Sequence, residues 1–508
     1  MVPLITGVAA YIVAGILSLT YSRWRFWFGV FGWAGGLTGL ATGIILYLRN
    51  GSLVGNLGRW GVLGVEIKLD ETTLLFVALI VVLNVFTLAY LRTEKGGRFY
   101  CLYNFLLAAS YSVAFSNDLF NLYVTIELMS LISILLIGSE RKQYQIYAGI
   151  KYLLISSLAM SIYFIGLGFV YRAGGYLGIQ ELAGVIEGTT SLDLSLGFAL
   201  MLTGLSAKGG VFLFSMWLPD AYTYSGTVVS VLLAGIGTKA GLLGIIRIAG
   251  IAGWNDLLLG LGAMTGIIGA GFAVISRSPK RVLSFSSISQ TGYILLGIGM
   301  GTPAGFLVAS LHVFFHGLFK GLLFISFGHA EIGNNYTYGD AIKSVPFSSK
   351  IGIAVGALSL MAIPPFSGYF SKTLLLEVAG HGWLRWVILV IGLGTVVYSL
   401  DLVRLFIVNT PTSEARKRDL PLLSLAGIVA ISAVGVWFIE GTKAIFNLLS
   451  SSHISIAFAL IIVGIIFYLG LRDRLKRYDP QDFPFNLDNS LVSFFTGFIF
   501  VAFLLCFA

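Results

Sequence analysis

The sequence predicts an all-α polytopic membrane protein of 14 to 16 transmembrane helices, arranged around two inverted five-helix repeats that each contain a broken helix. Three observations predict it. Of 508 residues, 57% are hydrophobic and only 11% charged, against about a quarter charged in a soluble domain. The apolar residues fall in runs of roughly 20, the length that crosses a bilayer's hydrocarbon core as a helix. Glycine and proline interruptions lie beside lysines in two of those runs. Inside a bilayer the backbone must satisfy its own hydrogen bonds, and these runs are far too long for barrel strands, so they read as helices.

Taken in order, the candidate spans lie at roughly 3–21, 26–48, 72–92, 100–116, 118–138, 145–171, 195–217 and 225–249, then at roughly 255–276, 282–301, 304–327, 349–377, 382–408, 422–440, 454–471 and 489–507. The first has no basic stretch before it and no small-residue cleavage site, which reads as a retained helix rather than a signal peptide. The pattern divides into an N-terminal three-helix segment (1–99), a first repeat of spans 4 to 8 (100–252), a second of spans 9 to 13 (253–410) and C-terminal peripheral helices (411–508). An odd helix count makes the two repeats inverted.

Charge sets the orientation. Loops after odd-numbered spans hold 19 Lys and Arg, in clusters such as Arg92, Lys95, Arg98 and Arg416, Lys417, Arg418, and loops after even-numbered spans hold six. That bias puts the odd loops in the cytoplasm and both termini outside. The net charge of +9 is thereby explained by membrane orientation, with no nucleic-acid partner implied. Cys101 and Cys506 are too few for a disulfide framework or a thiolate metal site. The topology also sets them a membrane thickness apart, too far to pair.

The remaining seven basic residues fall inside spans: Lys151, Lys208, Lys239, Arg247, Lys320, Lys372 and Arg404. Arg247 and Arg404 lie about a turn from a span end, where the expected arrangement is a head group snorkelling to the interface. Asp401 and Arg404, spaced i, i+3, are expected to form a local ion pair. Lys151 is about two turns in and its role stays open. Lys208, Lys239 and Lys320 are too deep to snorkel, and a charge near the bilayer centre costs roughly 2.5 to 3.5 kcal/mol even on the lenient scale, so partners and a purpose are expected.

Glu127, in the middle of span 5, is the carboxylate candidate. Paired with a buried lysine it stabilises both ions, and movement of one partner then loads or unloads a proton. His312, His316 and Lys320 are spaced i, i+4, i+8 and form one polar stripe. Histidine titrates nearest neutral pH, so the stripe reads as a proton relay rising to a lysine. A metal site and a set of structural interhelical donors are the rival readings. Span 7 contains Ser206-Ala207-Lys208-Gly209-Gly210, and span 12 contains Ile363-Pro364-Pro365-Phe366-Ser367-Gly368 just before Lys372. Interrupted spans at corresponding positions of two halves point to an ion or substrate site near the midplane, although glycine also serves close helix packing.

At these residues the chain resembles the antiporter-like proton-pumping subunits of respiratory complex I, the D-type subunit of Mrp sodium/proton antiporters, and the corresponding subunits of membrane-bound hydrogenases. The resemblance covers roughly residues 70 to 410. It rests on Glu127, on Lys208 followed by Met216-Trp217-Leu218-Pro219-Asp220-Ala221, on Lys239 in Gly237-Thr238-Lys239-Ala240-Gly241, on the His312, His316, Lys320 stripe, and on Lys372 in Phe370-Ser371-Lys372. Two departures stand out. Tyr224-Ser225-Gly226-Thr227 replaces an Ala-Pro-Thr turn, and the span 12 charge is Lys where some branches carry Glu.

The resemblance implies a mid-membrane proton file of Glu127, Lys208, Lys239, His312, His316, Lys320 and Lys372. It also implies a subunit working with other antiporter-like and small membrane subunits in a cytoplasmic membrane, driven by a redox module of iron-sulfur or nickel-iron subunits elsewhere. The chain itself has no iron-sulfur cysteine pattern, Walker loop, Rossmann fingerprint or haem pair, so no cofactor is expected in it. Two alternatives are a stand-alone transporter exchanging a small solute for protons and a scaffold whose buried charges dock other subunits. Sodium as the transported ion stays open: Glu377 and Asp401 are available oxygens but form no recognisable constellation.

Overall fold

The computed structural model describes residues 5–58, 64–91, 95–188, 191–329, 346–407, 451–475 and 486–507. The elements are α1 (Thr6–Thr20), α2 (Arg25–Asn50), a hairpin of β1 (Leu53–Leu57) and β2 (Val65–Leu69), α3 (Glu71–Leu91), α4 (Gly97–Phe115), α5 (Leu119–Ile137), α6 (Gln143–Gly174), α7 (Ile179–Ile186), α8 (Leu192–Gly209), α9 (Leu218–Tyr224), α10 (Thr227–Leu232) and α11 (Thr238–Ala252). They continue with α12 (Asn255–Ile275), α13 (Pro279–Gly299), α14 (Pro303–His329), α15 (Phe347–Leu360), α16 (Ser367–Ala379), α17 (Trp383–Ile407), α18 (Ser451–Leu475) and α19 (Leu487–Phe507). Among the described residues, ten helices are long and apolar enough to cross a membrane, and three shorter apolar helices accompany them. The candidate span at 422–440 lies outside the described residues.

The chain is therefore a mostly helical polytopic membrane protein, with one amendment to the all-α expectation. β1 and β2 pair antiparallel, Leu53 opposite Leu69. Five-residue strands in a polar connection leave no trace in a reading tuned to runs of 20. The hairpin anchors a small layer outside the spans: Asn117 N–H donates to the Glu66 carbonyl at 3.0 Å and Ile179 N–H to the Asn117 carbonyl at 2.9 Å.

The described residues fall into two units, one of 1–229, 236–257 and 486–508, the other of 230–235 and 258–485. In the first, α2 turns a stripe of buried glycines, Gly29, Gly32, Gly36, Gly39 and Gly43, inward. Tyr111 exploits the missing side chain and donates to the Gly36 carbonyl at 2.9 Å. Helix ends are capped as their sequences suggest: Asp70, Asp118 and Ser191 accept from Thr73, Asn121 and Leu194 backbone N–H groups, filling donors that the first turn leaves open. α19 packs on α8, and its Ser493 donates to the Leu213 carbonyl at 2.7 Å in the segment between α8 and α9.

Here one expectation is overturned. Arg247 does not snorkel: it is buried, and its guanidinium donates to Asp70 Oδ1 at 3.3 Å and Thr73 Oγ1 at 2.6 Å. The pair joins α11 to the start of α3. Burial alone would raise the Asp70 carboxyl pKa, but the Arg247 charge and hydrogen bonds hold it well below the usual carboxylate range. Nothing in sequence links residues 177 positions apart, which is why the end-of-span rule failed.

In the second unit α13 is the central helix, and every one of its residues is buried. Pro346 N-caps α15, and α15 and α16 are separate helices with Pro364-Pro365 between them. Asp401 accepts a hydrogen bond at 2.9 Å from the Tyr468 hydroxyl of α18, a partner the i, i+3 reading with Arg404 did not foresee.

Candidate functional site

The first unit's site begins at the end of α8. The helix stops at Gly209 because Gly210 adopts φ +73°, a left-handed cap that glycine takes without strain. Trp217 Nε1–H satisfies the freed Ala207 carbonyl at 2.9 Å. Lys208 thus sits in the last turn, at the negative end of the helix dipole, with its side chain 3% exposed.

Its ammonium lies 3.5 Å from Glu127 Oε2 and donates to Ser130 Oγ at 2.5 Å and to Ser156 Oγ. The Tyr152 ring lies 5.7 Å away. Ser130 in turn donates to the Ile126 carbonyl at 2.8 Å, which orients its lone pairs toward the lysine. Glu127 is the less enclosed partner, 21% exposed, on a helix whose neighbouring Val124, Leu128 and Leu131 also face outward.

Lys239 is wholly buried at the start of α11, with Thr238 Oγ1 3.3 Å from its ammonium. α11 meets α8 at Gly241, where a Cβ would lie 2.7 Å from the Lys208 carbonyl carbon. Only glycine permits that approach. The two lysine-bearing segments are therefore packed backbone to backbone.

Lys151, open in the sequence, pairs with Asp220 at 2.7 Å, and neither is more than 6% exposed at its side chain. This ties α6 to α9, the helix that resumes after the break in α8. Asp220 is a partner that sequence reasoning quoted within a motif without assigning it a role.

In the second unit the α14 stripe is intact. The His312 and His316 rings stack at 6.0 Å with an interplanar angle of 14°. His312 bridges two helices: Nε2 lies 3.2 Å from Gln290 Oε1 on α13, and Nδ1 2.9 Å from Ser371 Oγ on α16. A carbonyl oxygen can only accept, so Nε2 carries a proton; in the neutral ring Nδ1 then accepts from the Ser371 hydroxyl, and in the imidazolium it donates to it. Lys320 donates to the Leu283 carbonyl at 2.7 Å and to Ser286 Oγ at 2.5 Å. Lys372, next to Ser371, donates to the Leu360 carbonyl at 2.7 Å, and its ammonium lies 4.9 Å from the Tyr293 ring centroid.

The structure thus brings Glu127 to Lys208, packs Lys239's helix on Lys208's backbone, and bonds His312 to Ser371, the residue beside Lys372. Sequence reasoning missed the serines and Gln290 that receive these groups. A signal was present in Ser284, Ser286, Ser287, Ser289 and Gln290, which make α13 the least apolar of the ten long spans and yet wholly buried.

The chain as a whole has counterparts among known proteins. The family described as NADH:quinone oxidoreductase/Mrp antiporter, TM, matches residues 116–399. The chain is 31% identical to the D-type subunit of the Na(+)/H(+) antiporter of Alkalihalophilus pseudofirmus, over 65% of its own length and 70% of that protein's. It is likewise 31% identical to the N-type subunit of the NADH-quinone oxidoreductase of Desulforudis audaxviator, over 66% and 71%. In fold it is similar to a chain of the membrane-bound sulfane sulfur reductase, an archaeal respiratory membrane complex, with a TM-score of 0.79, 20% identity, and coverage of 92% of this chain and 98% of the other.

Proposed function

This chain belongs to the NADH:quinone oxidoreductase/Mrp antiporter membrane family, and from that premise we propose that it is a proton-translocating, antiporter-like subunit of a multisubunit membrane complex. The observation that carries the reading is the Lys208 ammonium at the end of a broken helix, held by the Glu127 carboxylate and two serine hydroxyls away from bulk water. A buried cation with one movable counter-charge is a proton store with a switch.

In this reading Glu127 is the moving part. Its outward-facing helix suits coupling from a neighbouring subunit. When Glu127 is drawn away, the Lys208 ammonium loses its counter-ion and releases its proton toward Lys239. His312, His316 and Lys320 form the second stretch of the file, with Gln290 and Ser371 orienting His312 and Ser286 orienting Lys320. Lys372 delivers the proton to the outer half-channel. The inverted repeats of spans 4 to 8 and 9 to 13 would give each half one broken helix and one lysine for this task. Orientation follows from the charge bias, with both termini outside the cytoplasmic membrane.

Redox energy, where it drives the complex, would come from iron-sulfur or nickel-iron subunits, since this chain contains no cysteine pattern for such centres. Sodium exchange in place of proton pumping would use the same coupling. Extraction in mild detergent followed by mass spectrometry tests the proposal: antiporter-like subunits co-purify with the chain. Recovery as a lone monomer or homo-oligomer would overturn it in favour of a proton-coupled solute transporter.

A further inference from the structure

We propose that the proton leaving Lys372 exits through His453 and Glu377, so that the C-terminal helix α18 supplies a working group of the outlet. This rests on the proton-file reading above and names a step within it. A cavity of about 40 Å³ opens beside Lys372, lined by Tyr293, Tyr369, Thr373, His453 and the apolar side chains of α17 and α18. It has room for roughly two or three water molecules. His453 reaches it from the third residue of α18, and its Nε2 lies 3.5 Å from Glu377 Oε1 near the end of α16.

Exposure rises along this route. The Lys372 residue is 6% exposed, the His453 side chain 19% and the Glu377 side chain 38%. A buried ammonium is therefore connected, through a water-sized space, to an imidazole and then to a carboxylate that touches solvent. Both ends of the pair lie at the helix termini that the Lys and Arg count assigns to the outer face, where an outlet must open.

The titratable and charged groups around the cavity come from α16 (Tyr369, Lys372, Glu377), α13 (Tyr293) and α18 (His453); α17 contributes Ile388, Leu389, Gly392 and Val396. In the first turn of α17, Arg385 donates to the Gly380 carbonyl at 3.4 Å.

The proton balance is simple. An N–H bond of the Lys372 ammonium breaks and its proton passes through water to one ring nitrogen of His453. The imidazolium releases the proton on its other nitrogen to Glu377 and on to solvent. The neutral Lys372 amine is then reloaded from the His312 side, where Ser371 already bonds the ring. Imidazole suits the middle position because it accepts and donates near neutral pH.

The test uses the purified native complex in proteoliposomes, with proton flux driven by an imposed pH gradient and potential and read by a trapped dye. His453→Ala is expected to slow flux by about tenfold in a complex of unchanged subunit composition, with millimolar imidazole restoring most of it. Glu377→Gln should slow flux without rescue. Imidazole replaces a proton carrier and does nothing for a packing defect, so a slow His453→Ala complex that imidazole leaves slow would overturn the proposal, as would wild-type flux in both variants. A Lys372→Ala control separates the two levels of argument. If it stops flux while His453→Ala does not, the file stands and the outlet lies elsewhere; if Lys372→Ala also conducts normally, the file reading itself fails.

Discussion

The Lys372 ammonium donates to the Leu360 carbonyl at 2.7 Å, across the break between α15 and α16. Leu360 is the last residue of α15, so the lysine caps the negative end of a half-helix. Lys208 reaches a similar end from the other direction, sitting in the last turn of α8 itself. In each unit a lysine lies at the carboxyl end of a half-helix, where the helix dipole is negative; Lys372 takes a helix-end carbonyl, and Lys208 takes Glu127 and two serine hydroxyls. The negative helix end thus adds to the Glu127 carboxylate in stabilising the Lys208 ammonium and to the Leu360 carbonyl in stabilising that of Lys372.

Lys151 and Asp220 should behave as a fixed pair. Asp220→Asn leaves a lysine in a buried site without its carboxylate, which costs about 3 to 5 kcal/mol in comparable buried pairs. Thermal unfolding of the detergent-purified complex should show a lower midpoint, and Lys151→Met combined with Asp220→Leu should recover much of the loss. An unchanged midpoint for Asp220→Asn alone would remove the pair's structural role.

Arg247→Met should destabilise the junction of α3 and α11 by a similar amount, and the loss should depend on pH. The Asp70 carboxyl is held low by Arg247, so the pair's contribution is fully present above the unfolded carboxylate pKa of about 4 and fades as pH falls through the depressed value. Unfolding midpoints of wild type and variant should differ constantly from pH 5 to 8 and converge in acid. A gap that widened in acid would contradict this assignment.

These outcomes bear on what sequence can reveal. The long apolar helices among the described residues, both breaks and the α14 stripe were legible because run length, Gly209-Gly210, Pro364-Pro365 and i, i+4 spacing are local signals. The identities of the partners were not. Ser130 and Ser156 are inexpensive in any buried helix because a serine hydroxyl can bond its own preceding turn, so their presence announced nothing until tertiary packing aimed them at Lys208. Arg247 shows the same limit from the other side, since its partner lies across 177 residues of sequence.

The hairpin carries a different pH dependence. Burial, and then the neighbouring Glu181 carboxyl, raise the Glu66 carboxyl to about 7, while Asn117 Nδ2 donates to Glu66 and Asn56 Nδ2 to Glu181 Oε1 at 3.4 Å. Because this folded-state value is raised, the contribution is present in acid and lost as pH climbs through 7. Hydrogen exchange at Asn117 and Ile179 should accelerate between pH 6 and 8 beyond the intrinsic rate change, and Glu66→Gln should abolish the excess. Equal excess in the variant would show that another group controls it.

Ser286→Ala and Gln290→Ala remove acceptors for Lys320 and His312 without touching either titratable group. Each should slow proton flux by a few-fold to about tenfold while the complex assembles normally. Full flux in the Ser286→Ala, Gln290→Ala double variant would mean that α13 only packs.

Lys239 offers the most direct trial of the central claim. It is wholly buried, its helix packs on the backbone of Lys208, and the proton file needs it to carry charge away from the Glu127–Lys208 pair. The decisive measurement is dye-monitored proton flux through proteoliposomes of the native complex carrying Lys239→Ala, with subunit composition checked by mass spectrometry. The account predicts an assembled complex whose flux falls by at least about tenfold. Wild-type flux through that assembled complex would contradict it.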